Sequence, residues 1–156
     1  MENIEYLKKQ IPIMVNLFKS KRFEDLISKG MILIKKFPDQ DFFYNITSLA
    51  YNALGKSIEA KKLLTKILKK DPENISVLNN LGLVSSSCGD SSEAEKYYKR
   101  ALILKPDFID ALVNLGNLKT NQNKAEEAKE FFSTALKINN QIIPAKIAIP
   151  MIEEPP

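Results

Sequence analysis

Apolar residues recur at three- and four-residue steps along most of the chain. Leu78, Leu81, Val84 and Cys88 form one such run, and Ala94, Tyr97, Tyr98, Ala101 and Leu102 form the next. That spacing places the apolar side chains on one stripe of an α-helix and does not fit the two-residue alternation of a strand. Gly89-Asp90 separates the two runs. Glycine ends a helix in a left-handed turn without a Cβ clash. Asp90 then serves as an N-cap, with Glu93 three residues on to complete a capping box. Pro106 stops the second run, because proline cannot donate a helical hydrogen bond. The pattern predicts helix, tight turn, helix, short turn.

The pattern returns at a fixed offset, the separation of Gly55 from Gly89. At that offset Glu59 falls on Glu93 and Glu127, Ala60 on Ala94 and Ala128, and Leu68 on Leu102 and Leu136. Pro38, Pro72 and Pro106 also coincide, each followed by an acidic residue. Asn80-Leu81-Gly82 repeats as Asn114-Leu115-Gly116. Self-similarity at such a period marks stacked units, each too small to bury its apolar faces alone. Gly82 and Gly116 lie within helices, where glycine costs about 1 kcal/mol relative to alanine. A close approach by a neighbouring helix offsets that cost. Ala60, Ala94 and Ala128 face the same contact, and Leu63-Leu64, Tyr97-Tyr98 and Phe131-Phe132 supply the large partners. Antiparallel helices about 8–10 Å apart accommodate this alternation.

These residues resemble the tetratricopeptide repeat family. Its leucine-glycine pair stands here as Leu81-Gly82 and Leu115-Gly116. Its alanine, aromatic and second alanine stand as Ala94, Tyr98, Ala101 and as Ala128, Phe132, Ala135, and its proline as Pro72 and Pro106. The resemblance implies an all-α, right-handed α-α superhelix (solenoid) of helix-turn-helix repeats with a 34-residue period, in one array over 1–156. Repeats are expected at 41–74, 75–108 and 109–142. The first of these is looser, with Thr47-Ser48 replacing the leucine-glycine pair. A degenerate repeat at 7–40 keeps Leu17, Leu33 and Pro38 but has Leu26 for the alanine and Gly30 for the aromatic. It is expected to cap the front of the array, with Pro12 kinking or restarting its first helix. Residues 143–156 are expected to form a capping segment and tail, with a short helix over 141–149.

The resemblance also places unpacked side chains of the first helices on a concave groove. These are Phe42, Asn45, Leu49 and Asn52, then Ser76, Asn79, Asn80, Leu83 and Ser86, then Asp110, Val113, Asn114, Asn117 and Thr120. Asparagine and serine dominate there, while Lys61, Lys62, Lys66, Lys69 and Lys70 collect on a second helix, facing outward. An asparagine amide offers two donors and an acceptor, matching the N–H and C=O of an extended peptide. Asn80 and Asn114 share one repeat position and are similar to the asparagine ladder in the repeat arm of O-linked N-acetylglucosamine transferases. The competing reading leaves both amides hydrated. Chaperone-binding members grip a C-terminal carboxylate with lysine and arginine. Ser76, Asn80, Asp110 and Asn114 stand at the comparable places here, which argues against that capture.

Composition narrows the function further. Histidine and tryptophan are absent, which removes imidazole-based catalysis and the usual catalytic zinc ligands. Cys88 is the one cysteine and, on its apolar stripe, reads as a packed thiol; it excludes an internal disulfide. Glu126, Glu127 and Glu130 are interspersed with Lys124 and Lys129 and read as a solvated face, not a metal site. The five glycines are scattered, so no phosphate loop is present. Basic residues outnumber acidic ones 23 to 19, but only Arg22 and Arg100 are arginine, the residue best suited to phosphate and base recognition. Nucleic acid is therefore not an expected partner. Near the acidic start, the apolar stretch Ile11 to Phe18 is broken by Pro12 and Asn16, so neither a targeting segment nor a membrane span is expected.

The expectation is a cytoplasmic protein-protein interaction module that binds a partner protein or extended peptide in its groove. No catalysis, metal or cofactor of its own is expected. Two alternatives stay open. One is the recognition arm of a glycosyltransferase whose catalytic domain is absent, suggested by Ile147 to Glu154. The other is a scaffold that self-associates weakly through its terminal faces.

Overall fold

Four left-handed residues mark the tight turns. Lys21, Gly55, Gly89 and Asn123, evenly spaced along the chain, have φ of 56°, 74°, 83° and 59°. After each, the next N–H reaches back five residues: Arg22 to Leu17, Lys56 to Tyr51, Asp90 to Ser85 and Lys124 to Lys119, at 2.9, 2.9, 3.0 and 2.9 Å. This 6→1 bond satisfies a helix-end carbonyl and turns the chain back on itself. The periodicity picks out the two glycines; the same geometry at Lys21 and Asn123 shows that the surrounding helices impose it.

The structure, a computed structural model, describes residues 2–141. Among them are eight helices and no strand: α1 Glu2–Lys19, α2 Phe23–Lys36, α3 Asp41–Ala53, α4 Ser57–Lys70, α5 Ile75–Ser87, α6 Ser91–Leu104, α7 Ile109–Asn121 and α8 Ala125–Ile138. Helix starts keep the offset of the sequence pattern, from Asp41 to Ile75 to Ile109 and from Ser57 to Ser91 to Ala125. The helix expected at 141–149 lies outside the described residues, apart from Gln141, which is in a turn.

The chain divides into two compact units, Met1–Pro72 and Glu73–Pro156. In unit 1, α1 runs unbroken through Pro12, so the restart expected there does not occur. Met14, Leu26, Leu33, Phe43, Ala50, Ala60, Leu64 and Ile67 form its interior, each 2% exposed or less. An aromatic group knits its helices: Phe37 lies 6.1 Å from both Tyr6 and Phe43, and the Lys36 ammonium sits 4.0 Å over the Tyr6 ring.

Unit 2 packs around Leu78, Leu81, Ala94, Tyr98, Leu115, Ala128 and Phe132. Its glycines carry out the close approach that the pattern predicts. A Cβ on Gly82 would lie 2.5 Å from Tyr98 Cε1, and one on Gly116 would lie 2.5 Å from Phe132 Cε1. Tyr98 and Phe132 are fully enclosed, whereas their neighbours Tyr97 and Phe131 are only half-buried. Burial pushes the Tyr98 phenol above its ordinary range, because the phenolate could not be solvated there.

Capping is less regular than the turns. Asp90 accepts from the Glu93 N–H at 3.0 Å and Asn74 from the Val77 N–H at 3.1 Å, but Lys56 and Lys124 make no side-chain cap. Cys88, expected to be packed, is exposed at the C-cap of α5. The helical stripe ends before it, at Val84 and Ser85.

Candidate functional site

The first helices of the pairs, α1, α3, α5 and α7, carry the residues expected in the groove. In unit 1, Phe42, Asn45 and Leu49 stand on successive turns of α3. They line a surface cavity of about 260 Å³ together with Ile46 and with Val15, Phe18 and Lys19 of α1. Its lining is almost wholly apolar. The α1 wall was missed by sequence reasoning, which treats the degenerate repeat as a cap. Val15 and Phe18 beside the core residue Met14 are the signal that would have found it, since they widen the apolar stripe beyond what one contact consumes. Asn45 donates to the Asp41 carbonyl at 3.1 Å, and the Ser48 hydroxyl donates to the Asn45 carbonyl at 2.7 Å. Asn52 stands at the far end of α3, where its side-chain oxygen accepts from the Ser57 hydroxyl at 3.2 Å and ties the turn into α4.

In unit 2, Ser76, Asp110, Asn117 and Thr120 are exposed, and Asn80, Leu83, Ser86, Val113 and Asn114 are half-buried. Asn79 is buried, 7% exposed. The Asn114 amide donates to the Asn79 side-chain oxygen at 3.0 Å, joining α7 to α5. Thus the residue met by Asn114 is Asn79, not its repeat counterpart Asn80. One donor of Asn114 is spent inside the protein; its carbonyl oxygen and second N–H have no such fixed use in this bond. The Thr120 hydroxyl donates to the Gly116 carbonyl at 2.9 Å.

Next to Thr120, Lys119 is buried, with its side chain 4% exposed. Its ammonium contacts Glu95 on α6 and Glu127 on α8, both at 2.9 Å, and Glu95 also meets Lys99 at 2.7 Å. Burial opposes the charge on Lys119, but the bonds to Glu127 and Glu95 prevail and raise its pKa above 10.5. Bonds from Lys99 and Lys119 hold Glu95 below the ordinary carboxylate value of 4.5. Glu127, read from sequence as part of a solvated face, therefore ties α8 to Lys119 of α7, and it is Lys119 that joins three helices. The position equivalent to Lys119 one repeat earlier links two helices with a hydroxyl, Ser85 of α5 donating to Glu93 of α6 at 2.7 Å. Ser85 is buried, and as the repeat counterpart of Lys119 it is the signal that this position is an interior one. No group of three or more metal-ligating side chains occurs among the described residues, and no described helix is long and apolar enough to cross a membrane.

No curated protein sequence matches the chain. Solved structures do. A thermophilic TPR protein of Thermus thermophilus superposes with a TM-score of 0.84 at 20% identity, over 95% of this chain and 86% of that one. Pseudomonas aeruginosa pilF superposes with a TM-score of 0.82 at 19% identity, over 97% and 69%. The second TPR domain of human RPAP3, solved in complex with the HSP70 peptide SGPTIEEVD, gives 0.64 at 22% identity, over 72% and 93%. These likenesses establish an all-α helical repeat solenoid. Two family models, both described as tetratricopeptide repeat, match residues 63–96 and 87–144. With the repeated turns, the glycine-aromatic contacts and these matches together, the chain belongs to the tetratricopeptide repeat family.

Proposed function

We propose that the chain is a protein-protein interaction module, without catalysis of its own, whose first helices bind a partner protein or extended peptide. The observation that carries this reading is the apolar cavity between α1 and α3, about 260 Å³, which helix packing leaves unfilled. A space of that size accepts one large apolar side chain, and Asn45 stands beside it with an amide suited to the adjoining backbone. In unit 2, the half-buried Asn80 and Asn114 amides and the exposed Asn117 offer uncharged contacts to a backbone. Peptide binding by the RPAP3 domain is a precedent for the fold. Ser76, Asn80, Asp110 and Asn114 supply no cation for a terminal carboxylate.

The test uses the full chain as bait to identify a partner, then measures its affinity calorimetrically. Leu49→Glu puts a carboxylate into the α1–α3 cavity and is expected to weaken binding by roughly tenfold to a hundredfold, at 1.4 kcal/mol per decade. Asn80→Ala is expected to weaken it by up to about tenfold, because a hydrogen bond exchanged with water contributes about 0.5–1.5 kcal/mol net. Lys70→Glu, on α4, should change little. Asn114→Ala is a poor probe, since it also orphans the buried Asn79 oxygen. Unchanged affinity in Leu49→Glu and Asn80→Ala would remove the first helices from the account.

A further inference from the structure

Helix α4 carries five lysines against Glu59 alone, a net charge equal to the +4 of the entire chain. Other second helices are mixed: α6 sets two glutamates against two lysines and an arginine, and α8 sets three glutamates against two lysines. A second surface cavity of unit 1, about 600 Å³, opens beside α4. Its apolar lining includes Met31 of α2, Tyr51 of α3, and Ile58 and Leu63 of α4. Lys61, Lys62, Lys66 and Lys69 line it as well, with Glu59 as the single acidic group. Ile58 is 70% exposed and Met31 42%.

The repeat provides an internal control on what packing requires. In the next two repeats Ile58 becomes Ser92 and Glu126, Lys62 becomes Lys96 and Glu130, and Lys66 becomes Arg100 and Thr134. Neither an exposed apolar residue nor a ring of cations is therefore needed to build the helix pair. Exposed apolar surface held among like charges is unfavourable in the unbound protein, and it is relieved by a ligand that brings apolar atoms and negative charge together.

We propose that this cavity docks an acidic peptide segment. One apolar side chain of that segment seats among Met31, Ile58 and Leu63, and its neighbouring carboxylates face Lys62, Lys66 and Lys69. The cavity withdraws Leu63, which is 5% exposed, from any flat surface, so an anionic membrane could not reach it. Nucleic acid would satisfy the lysines but leave the apolar lining unfilled, and no arginine is present there for bidentate phosphate contacts. This surface is separate from the first-helix site proposed above.

The experiment is fluorescence anisotropy on the full chain with labelled nine-residue peptides. Each carries one central leucine, isoleucine, methionine or phenylalanine flanked by aspartate and glutamate. At least one peptide is expected to bind saturably, to weaken about tenfold when its central residue is serine, and to weaken with added salt. Lys62→Glu with Lys66→Glu should reduce affinity at least about tenfold, and Ile58→Ser should reduce it severalfold. All three positions are exposed, and a thermal melt checks that each variant is folded. Leu49→Glu should leave this binding unchanged, which separates failure here from failure of the first-helix site. The proposal is overturned if no peptide saturates, or if serine-centred peptides bind equally. It is also overturned if phosphatidylserine vesicles or a single-stranded oligonucleotide bind more tightly than every peptide.

Discussion

The two units solve one packing problem with opposite distributions of volume. One pair of repeat positions, on the first and second helix, reads Met14 and Gly30, Ser48 and Leu64, Gly82 and Tyr98, Gly116 and Phe132. Unit 2 twice places nothing on the first helix and a ring on the second. Unit 1 begins with the reverse, a large residue on α1 and glycine on α2, and then uses an intermediate pair. Met14, Leu64, Tyr98 and Phe132 are all 1% exposed or less. Gly30 is closed off from a different direction, by Thr47 of α3. The interior demands an approximately constant filled volume, and which helix supplies it is free. Departures from a repeat motif can therefore be read in pairs: Gly30 departs together with Met14, and Ser48 together with Leu64.

The sharpest way to break this comparison is to give unit 2 the pairing of unit 1. Gly82→Ser alone should overpack Tyr98 and cost about 1–3 kcal/mol, and Tyr98→Leu alone should cost a similar amount through the gap it leaves beside Gly82. The double change recreates Ser48 with Leu64 and should cost less than the two singles combined. A coupling of about 0.5–3 kcal/mol is expected, measured by urea unfolding around the four-variant cycle. Strict additivity would mean that the volumes are not traded.

Unit 2 also has a charged interior contact, and pH should expose it. Folding lowers the Glu95 pKa from 4.5, so the stability it contributes is present above 4.5 and disappears as pH falls through the lower folded value. Lys119, raised above 10.5, keeps its share throughout neutral pH and loses it only as pH rises through the folded value. Glu95→Gln should therefore lower the melting temperature at pH 7 and make the decline between pH 5 and acid shallower. Amide exchange followed by mass spectrometry should place the change in peptides of α6 to α8, with α2 to α4 unaffected.

The smallest expected effect concerns the turns. Lys21 and Asn123 occupy the left-handed region that Gly55 and Gly89 occupy without strain. Lys21→Gly should stabilise by less than about 1 kcal/mol, because relief of Cβ strain exceeds the added unfolded-state entropy only narrowly. Asn123→Gly should do less, since asparagine tolerates this region better than lysine. A loss of stability in Lys21→Gly, read from thermal melts, would show that its side chain holds the turn.

Much of this protein follows from local rules acting on the chain. Apolar spacing at helical steps, prolines after α2, α4 and α6 and small residues at a constant offset are enough to specify the helix pairs and their period. Gly55 and Gly89 disclose their turns because glycine alone adopts left-handed backbone without a Cβ penalty. Lys21 and Asn123 could not be read that way, since only packing on both sides holds them there.

The sequence by itself determined the helices and their period. Tertiary structure decided which polar residues turn inward. Asn79 and Asn114 look alike as sequence, and only the approach of α5 to α7 makes one a buried acceptor and the other its donor. Lys119 reads as a surface residue until α6 and α8 bring two carboxylates to it. The α1–α3 cavity likewise depends on how two distant stretches meet. A hydrogen bond or a void between helices belongs to no single window of the chain, so it appears only when the helices are placed side by side.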